Sequence, residues 1–463
     1  MLDCYALDDA AAAIPLIPVS RHTLDAWLEA QPERVRHWVA DAGFTAKANS
    51  RLRLPGEDGR LGAVLLGVHE DGDTWAFGGA AAKLPAGLYR ITADWDEDRM
   101  NRAAIAWGLG AYRYERYKTS SREQPRLVLD GDGALAAAET VVRAVYLVRD
   151  LINTPAADMM PADLAAAAHD LAAAFGGEVR EIVGEDLLAE NYPALHAVGR
   201  ASIHAPRLID LRWGEADHPP LTLVGKGVCF DSGGLDIKPA AGMRQMKKDM
   251  GGAAHVLGLA RLIMARGLPV RLRVLIGAAE NAIAGNAFRP GDVLRTRKGL
   301  TVEVDNTDAE GRLAICDALA ESAADEPELL IDFATLTGAA RVALGTEVPA
   351  FFTNSDEVAA GLMQASMAED DPIWRLPLHR PYRSELDSDI ADLVNSAAGG
   401  FGGAITAALF LERFIPRHTD WVHFDVMAWN NRARPGRPKG GEAMGLYASY
   451  RYLEERFGED EGR

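Results

Sequence analysis

Cysteine is scarce in this chain of 463 residues, which contains only Cys4, Cys229 and Cys316. So few thiols, and an odd number of them, argue against a disulfide framework and favour a reducing compartment. No apolar run approaches the ~20 residues that a membrane-spanning helix needs. The N-terminal stretch carries acidic residues where a signal peptide carries basic ones, so we expect a cytoplasmic protein that does not enter membranes.

Two common catalytic motifs are also missing. Neither the H-E-x-x-H pattern of many zinc peptidases nor the phosphate-binding loop G-x-x-x-x-G-K-[ST] occurs. These absences count against a histidine-based zinc enzyme and against nucleotide hydrolysis. The formal net charge of −18 argues against binding of nucleic acids or anionic membranes by the surface as a whole. A local basic segment at 432–439 is more typical of a structural loop.

The length and composition predict an α/β protein of two domains. A single hydrophobic core stops growing at ~250–300 residues, and this chain is longer and 48% hydrophobic. We expect a smaller N-terminal α/β domain at 1–133, a connecting helix within 134–155 and a larger, catalytic domain at 156–463. Strand-like and helix-like patterns alternate in the larger part, which is typical of a mostly parallel sheet flanked by helices. The patterns predict helices at 99–113, 134–151, 162–175, 253–266 and 312–324, and strands at 63–68, 87–92, 221–224, 270–276, 329–334 and 421–426.

The segment DNTDAEGRL, at 305–313, concentrates charged side chains. Asp308 and Glu310 are two positions apart, so in extended backbone both side chains point to one side and can bind the same cation. Gly311 can supply an unusual backbone dihedral at a turn, and Arg312 adds a planar group with five hydrogen-bond donors. Taken alone, such an acidic pair is more typical of a solvated turn, but a second segment changes this interpretation.

The second segment is LTLVGKGVCFDSGGLDIKPAAGMRQMKKD, in which a short apolar strand opens into a glycine-rich loop. Loops that follow strands hold the functional groups of many α/β proteins, and this one carries Lys226, Asp231 and Asp249. Lys226 and Asp231 are an odd number of positions apart, and a regular strand would place them on opposite faces. We therefore expect irregular backbone near Gly227, and we expect Asp249 to lie just before a helix.

Asp231, Asp249, Asp308 and Glu310 together supply enough oxygen ligands for a pair of divalent cations. Two adjacent cations can lower the pKa of a shared water and polarise a carbonyl group, which is the chemistry of hydrolysis. A metal phosphatase would also use clustered carboxylates. Such enzymes usually add histidines, however, and the two charged segments contain none.

Several neighbouring residues compete for these roles. Asp236, Lys247 and Lys248 have the same side-chain types as the candidates, and only their positions in the motifs argue against them. His255 is more typical of a helix face than of a metal ligand. Cys229 is more typical of a small buried strand residue than of a nucleophile, because no histidine lies nearby in sequence to activate it.

The motifs GKGVCFDSGGLDIKP, MKKDMGGAA and NTDAEGRL, in this order, closely resemble the signatures of the leucyl aminopeptidase family. The similarity extends to FATLTGA at 333–339, to WNNRARPGRPKGGEAMG at 429–445 and, more weakly, to WGLGAYRYERYK at 107–118. The resemblance implies a metal-dependent aminopeptidase that binds two divalent ions in each chain, zinc or manganese. It would remove the N-terminal residue from peptides, with leucine or another apolar residue preferred.

The resemblance also assigns residues to three roles. Lys226 would join the four carboxylates as a metal ligand, which requires its neutral form. Lys238 would stabilise the oxyanion of the reaction intermediate, and Arg312 would hold a bicarbonate ion that acts as general base. The substrate side-chain pocket would include Met246, Thr335 and Gly338.

Partners follow from the same resemblance, which implies peptide substrates with a free N-terminus and a homohexameric assembly. The alternative is a catalytically inactive relative that serves as a binding or scaffold protein. That alternative is disfavoured because each of the seven positions assigned to metal binding and catalysis holds a chemically competent residue.

Overall fold

The structure is a computed structural model that describes residues 1–7, 13–69 and 74–458, so part of the acidic N-terminal stretch lies outside the described residues. The chain divides into two compact units, Met1–Tyr146 with Asn431–Lys439, and Leu147–Asn430 with Gly440–Arg463. The boundary falls within the helix predicted as the connector. Over the described ranges, no helix combines the length and the apolar character needed to cross a membrane.

A six-stranded sheet with helices forms the first unit. Its elements are β1 (Tyr5–Leu7), β2 (Ile14–Val19), α1 (Leu24–Glu29), α2 (Glu33–Asp41), β3 (Arg51–Pro55), β4 (Leu61–Gly67), α3 (Trp75–Ala81), β5 (Gly87–Ile91), α4 (Glu97–Ala111) and β6 (Pro125–Leu129). The strand order is β1-β6-β5-β2-β4-β3, and all neighbours are parallel except β4 and β3. The following helix, α5 (Asp132–Asn153), spans the boundary between the units.

Helix α4 shows how the first unit is packed. The Asp96 side chain accepts a hydrogen bond from the Arg99 backbone N–H at 2.8 Å and so caps the helix. Trp107 on α4 is fully buried, and its Nε1–H donates to the Cys4 carbonyl at 3.1 Å. In the segment 431–439, the Arg437 guanidinium lies 4.6 Å from the centre of the Trp75 ring. This part of the basic segment is therefore structural, as the sequence indicates.

The second unit contains the remaining elements. Its helices are α6 (Pro161–Phe175), α7 (Asp186–Ala189), α8 (Pro193–Gly199), α9 (Ala240–Met243), α10 (Gly251–Arg266), α11 (Gly311–Glu321), α12 (Gly338–Leu344), α13 (Asp356–Glu369), α14 (Gly403–Glu412) and α15 (Leu446–Phe457). Its strands are β7 (Glu178–Val183), β8 (Arg207–Trp213), β9 (Pro220–Asp231), β10 (Arg271–Asn281), β11 (Val293–Arg295), β12 (Thr301–Glu303), β13 (Leu329–Ala334), β14 (Ala350–Thr353), β15 (Trp374–Arg375), β16 (Leu393–Val394), β17 (Asp420–Asp425), β18 (Trp429–Asn430) and β19 (Gly440–Gly441). Short 3-10 helices occupy Ala156–Asp158, Met246–Met250, Ser322–Asp325 and Arg380–Leu386.

The main sheet of this unit has eight strands in the order β15-β14-β17-β13-β9-β10-β8-β7. The four central strands, β17, β13, β9 and β10, are parallel, whereas β8 and β7 on one side and β14 on the other pair antiparallel. The predicted α/β class with helices flanking a sheet is confirmed, and the sheet is mixed, with its parallel part at the centre.

Helices cover both faces of this sheet. Val224 and Val228 of β9 belong to the same buried cluster as Leu313 of α11. Gly225 faces the other side, where a Cβ atom would lie 2.6 Å from a methyl carbon of Val256 and 2.7 Å from the Ala253 Cα on α10. This close approach explains why a glycine interrupts the apolar run. The glycine does not end the strand, because β9 continues to Asp231 in its pairing with β10 and is longer than the sequence predicts.

Candidate metal centre and active site

The candidate site lies at the carboxyl ends of the central parallel strands. Strand β9 ends at Asp231, β10 ends at Asn281, and β13 ends one residue before Thr335. Carboxyl ends of parallel strands are the usual location of ligand sites in open α/β sheets. The two charged segments of the sequence meet here.

A bulge in β9 brings Lys226 and Asp231 to the same site. In the pairing with β10, Val228 lies opposite Ala279 and Phe230 lies opposite Glu280, so Cys229 between them has no partner. One extra residue reverses the alternation of side chains along the strand. The predicted irregularity is therefore present, two residues beyond Gly227, within an otherwise continuous strand.

Asp308 and Glu310 converge in a different way from the one expected. The segment between β12 and α11 turns at 307–308 and is not extended, and Glu310 directly precedes the first residue of α11. Even so, Asp231, Asp308 and Glu310 each have a carboxylate oxygen within 4.8 Å of the other two. The turn and the helix start bring the side chains together without strand geometry.

Gly311 has a different role from the one predicted. It is the first residue of α11 and is not among the glycines with positive φ. A Cβ atom at this position would lie 2.5 Å from both Cε and Nζ of Lys226. Gly311 is therefore required by the space that the lysine side chain fills.

Asp249 enters the site from the 3-10 helix Met246–Met250, immediately before α10, as predicted. Its side chain is buried, and its Oδ1 accepts a hydrogen bond from the Thr335 hydroxyl at 2.7 Å. The Thr335 carbonyl accepts from Lys226 Nζ at 3.0 Å. Thr335 thus connects the end of β13 to two of the candidate ligands.

Two lysines each bridge a pair of carboxylates. Lys226 Nζ lies 2.6 Å from Asp249 Oδ2 and 2.9 Å from Glu310 Oε1. Lys238 Nζ lies 2.7 Å from Asp231 Oδ2 and also contacts Asp308 Oδ1. Four carboxylates and two ammonium groups leave this cluster with an excess of negative charge.

Electrostatics in the cluster are strongly perturbed. Burial and repulsion by Asp231 raise the pKa of Glu310 to about 8, against the opposing effect of Lys226. Burial alone would lower the pKa of Lys226, but the attraction of Asp249 and Glu310 outweighs it and raises the pKa well above the ordinary value. Burial would also lower the pKa of Lys238, but the attraction of the carboxylates, chiefly Asp231, outweighs this effect and raises the pKa.

The carboxylate oxygens are suited to divalent cations. Asp249 Oδ2, Asp308 Oδ1 and Glu310 Oε1 are buried and accept no hydrogen bond of acceptable geometry, although lysine nitrogens lie close to each. Buried polar atoms normally have hydrogen-bond partners, and the carboxylates of Asp231, Asp308 and Glu310, which approach within 4.8 Å of one another, could together hold a cation. Hard oxygen donors match the preferences of manganese and magnesium, and carboxylates also bind zinc.

Arg312 lies in the first turn of α11 with only 7% of its surface exposed. One of its terminal nitrogens, Nη1, donates to the Asn395 carbonyl at 2.6 Å, whereas its Nε has no hydrogen-bond partner. Burial lowers the pKa of Arg312 to about 10, although Glu310 and Asp425 oppose this shift. A buried guanidinium with an unpaired donor is suited to binding a small anion.

The competing residues are engaged elsewhere. Asp236 Oδ2 accepts the Thr307 backbone N–H at 2.7 Å, and Lys247 Nζ donates to the Asn153 carbonyl at 2.5 Å. His255 uses both ring nitrogens, at Gly251 and Met444.

Burial affects two further candidates. It raises the pKa of the Cys229 thiol, which opposes formation of a nucleophilic thiolate. Lys248 is 2% exposed, and burial lowers its pKa to about 8. Neither side chain has an ion-pair contact with the four candidate carboxylates among those described.

Of the three candidate pocket residues, Thr335 contacts the candidate ligands directly, through Asp249 and Lys226. Met246 is half-buried at the start of the 3-10 helix that carries Asp249. Gly338 is exposed at the first turn of α12, where the Thr337 hydroxyl accepts the Ala340 N–H at 3.1 Å. Thr335 is 4% exposed.

Two buried asparagines belong to the site although the sequence did not predict them. The Asn281 amide donates to Asp231 Oδ1 at 2.9 Å. Asn395 accepts the backbone N–H groups of Asp305 at 2.8 Å and Asn306 at 3.2 Å with its Oδ1, and it donates to the Asn306 carbonyl at 2.7 Å. The position of Asn281 at the end of an apolar strand was the one available signal.

Buried carboxylates and lysines at the carboxyl ends of a parallel sheet define a class of metal-dependent hydrolytic site. Residues 146–448 match the model of the cytosol aminopeptidase family, catalytic domain, and residues 14–130 match the M17 aminopeptidase N-terminal domain. The chain therefore belongs to the M17 cytosol aminopeptidase family and is a metallo-aminopeptidase. The predicted family and enzyme class are confirmed.

Individual relatives agree with this assignment. The chain is 41% identical over 364 residues to a probable cytosol aminopeptidase of Roseiflexus castenholzii, covering 74% of each chain. The crystal structure of a cytosol aminopeptidase from Coxiella burnetii is 49% identical, with a TM-score of 0.96 over 98% of this chain and 100% of that one. The bottromycin maturation enzyme BotP, solved in complex with Mn, is 32% identical, with a TM-score of 0.86 over 96% of this chain and 99% of that one.

Proposed function

We propose that this enzyme removes the N-terminal residue from peptides with the help of two divalent metal ions, zinc or manganese, bound in each chain. The observation that carries the proposal is the cluster in which two lysines bridge four converging carboxylates. The preferred N-terminal residue would be leucine or another apolar residue, and we propose the cytoplasm as the place of action, in line with the names of its relatives.

The ligands would be Lys226, Asp231, Asp249, Asp308 and Glu310. Bound in this cluster, two divalent cations would lower the pKa of a shared water and polarise the scissile carbonyl. Lys226 must lose its proton before Nζ can act as a ligand, so metal binding should release protons. The high pKa that the carboxylates give Lys226 predicts that metal affinity falls as the pH is lowered.

Lys238 would be the group that stabilises negative charge on the substrate oxygen. Its two carboxylate partners, Asp231 and Asp308, are both proposed ligands. With those oxygens engaged by cations, the Lys238 ammonium would be available to stabilise the carbonyl oxygen of the peptide. A preorganised cation beside a developing oxyanion commonly makes a large catalytic contribution.

Arg312 would hold a bicarbonate ion that accepts the proton of the attacking water. The unpaired Nε and the burial of the guanidinium support this role. The four candidate carboxylates and Lys226 are assigned as ligands, and the two charged segments contain no histidine that could serve as the base. The bicarbonate is proposed from the family resemblance together with these two features of Arg312.

Metal removal tests the proposal directly. Dialysis against a chelator should abolish hydrolysis of leucine amides, and zinc, manganese or cobalt should restore it at a stoichiometry of two ions per chain. Full activity in protein shown by elemental analysis to be metal-free would refute the mechanism. A chain that binds two ions but hydrolyses no aminoacyl amide or peptide would instead support the alternative of an inactive, binding relative.

Substrate preference and assembly need separate measurements. Turnover of leucine, alanine, lysine and glutamate amides would rank the N-terminal residues, with Met246, Thr335 and Gly338 proposed as pocket residues. We propose a homohexamer on the basis of the family resemblance, and light scattering coupled to gel filtration would measure its mass.

A further inference from the structure

Asn281 connects the two segments that carry the proposed ligands. It is the last residue of β10, and only 1% of its surface is exposed. Its Nδ2 donates to Asp231 Oδ1 at 2.9 Å and to the Thr307 carbonyl at 3.1 Å. Asp231 ends β9, and Thr307 directly precedes Asp308, so a single amide group spans both segments.

The contact with Asn281 determines which oxygen of Asp231 faces the cluster. Asp231 Oδ1 accepts a second hydrogen bond, from the Gly233 backbone N–H at 2.9 Å. With Oδ1 occupied by two donors, Oδ2 is the oxygen that points toward the other charged groups, where it lies 2.7 Å from Lys238 Nζ. The two donors thereby orient the carboxylate.

The oxygen of the Asn281 side-chain amide differs from the nitrogen in its hydrogen bonding. This oxygen, Oδ1, is buried and accepts no hydrogen bond from the residues that the structure describes, and an unsatisfied buried acceptor reduces the stability of a folded protein. The two acceptors around Nδ2 fix the orientation of the amide, because exchanging its two ends would place the amide oxygen against two other oxygens, Asp231 Oδ1 and the Thr307 carbonyl. A role in stability alone does not explain this arrangement.

We propose that Asn281 is a positioning residue of the metal centre, which presents Asp231 Oδ2 as a ligand and holds the Asp308 segment at the end of β9. This inference rests on the proposed function. Partners that orient metal ligands typically change metal affinity about 10–100-fold when they are removed. The effect should therefore be measurable as metal binding, without any assay of the loaded enzyme.

The experiment measures zinc binding to metal-free protein by competition with a chromogenic chelator. Asn281→Ala removes the amide. Asn281→Asp preserves the shape of the side chain but replaces the donor nitrogen by an oxygen. This second variant still tests the inference if Asn281→Ala does not fold. Asn430→Ala is the matched control, since Asn430 is 3% exposed and its Nδ2 donates at 2.5 Å to Glu442, a buried carboxylate outside the proposed ligand set.

Both Asn281 variants should bind at least one zinc ion about 10–100-fold more weakly than the wild type, whereas Asn430→Ala should bind both ions with wild-type affinity. The rise in melting temperature that zinc produces should shrink only in the Asn281 variants. Wild-type affinity in either folded Asn281 variant would overturn the inference, and an equal loss in the control would reduce it to a general packing effect. Failure of the wild type to bind zinc would instead overturn the proposed function.

Discussion

His255 provides a sharp prediction about pH and stability. Its Nδ1 lies 2.6 Å from the Gly251 carbonyl, and its Nε2 lies 2.9 Å from the Met444 backbone nitrogen. The first contact requires a proton on Nδ1, and the second requires a lone pair on Nε2. The ring also stacks on Phe333 with the centroids 5.3 Å apart. The folded protein therefore holds His255 in its neutral form, and protonation would break the bond to Met444.

Burial lowers the pKa of His255 to about 4, from the ordinary value of 6.5, although the Gly251 carbonyl opposes the shift. The unfolded chain binds the proton more readily, so the stability contribution is fully present above pH 6.5 and is lost as the pH falls toward 4. At ~1.4 kcal/mol per pKa unit, the total is about 3 kcal/mol. Between pH 7.5 and pH 5, roughly 2 kcal/mol of unfolding free energy should be lost.

Urea denaturation of metal-free protein at these two pH values measures the effect without a contribution from metal binding. His255→Phe keeps a ring beside Phe333 but cannot titrate, so its stability should fall about 2 kcal/mol less between pH 7.5 and pH 5 than that of the wild type. The matched control is His37→Gln, because His37 has a side chain that is 71% exposed. A His255→Phe variant with the wild-type pH dependence would refute the reasoning.

Three further predictions concern the proposed roles. Arg312→Ala should keep the wild-type metal content and lose most of its activation by bicarbonate in degassed buffer, and equal activation of both proteins would remove the anion from the mechanism. Lys238→Ala should retain both metals and lose on the order of 10²–10³-fold in turnover. Glu310→Ala should bind fewer than two metal ions per chain. The opposite pattern in metal analysis would reverse the two role assignments. Gly311→Ala should displace the Lys226 side chain and weaken metal binding in a chelator competition assay. Wild-type affinity in that variant would show that the lysine can move without cost.

The charge content of the two segments, together with the family resemblance, predicted which charged residues come together. Lys226, Asp231 and Asp249 belong to one strand–loop–helix passage, and Asp308 and Glu310 belong to one short turn. The first group lies in and after β9 of the main sheet, whereas Asp308 and Glu310 follow β12 of a separate three-stranded sheet, so adjacency of strands does not account for the meeting of the two segments. The odd spacing of Lys226 and Asp231 also predicted a local irregularity, which the structure has as the bulge at Cys229.

The asparagines could not be predicted in this way. Asn281 is 50 positions from Asp231, and Asn395 is 90 positions from Asp305. An uncharged amide in an ordinary apolar sequence context gives no indication of such distant partners, because its hydrogen bonds depend on tertiary structure alone. The same limit applies to the segment 431–439, whose assignment to the first unit no local pattern indicates.

The role of Gly311 illustrates a third kind of limit. A glycine in a loop suggests unusual dihedrals, but here the helix begins at this residue and the constraint is the volume of a side chain 85 positions earlier. The sequence correctly marks the position as special without revealing the cause. A steric requirement between distant segments can be recognised only when the positions of both segments in the fold are known.

The charges of the cluster are partly balanced by its own lysines. Four converging carboxylates would repel one another strongly in a buried place, and the pKa of Glu310, raised to about 8, reflects that repulsion. Lys226 and Lys238 each offset one of the two negative charges in a pair of carboxylates, and each pair joins a residue of one charged segment to a residue of the other. The lysines therefore stabilise the contact between the two segments. They also leave an excess of negative charge, and this excess can be removed only by protonation or by cations of higher charge.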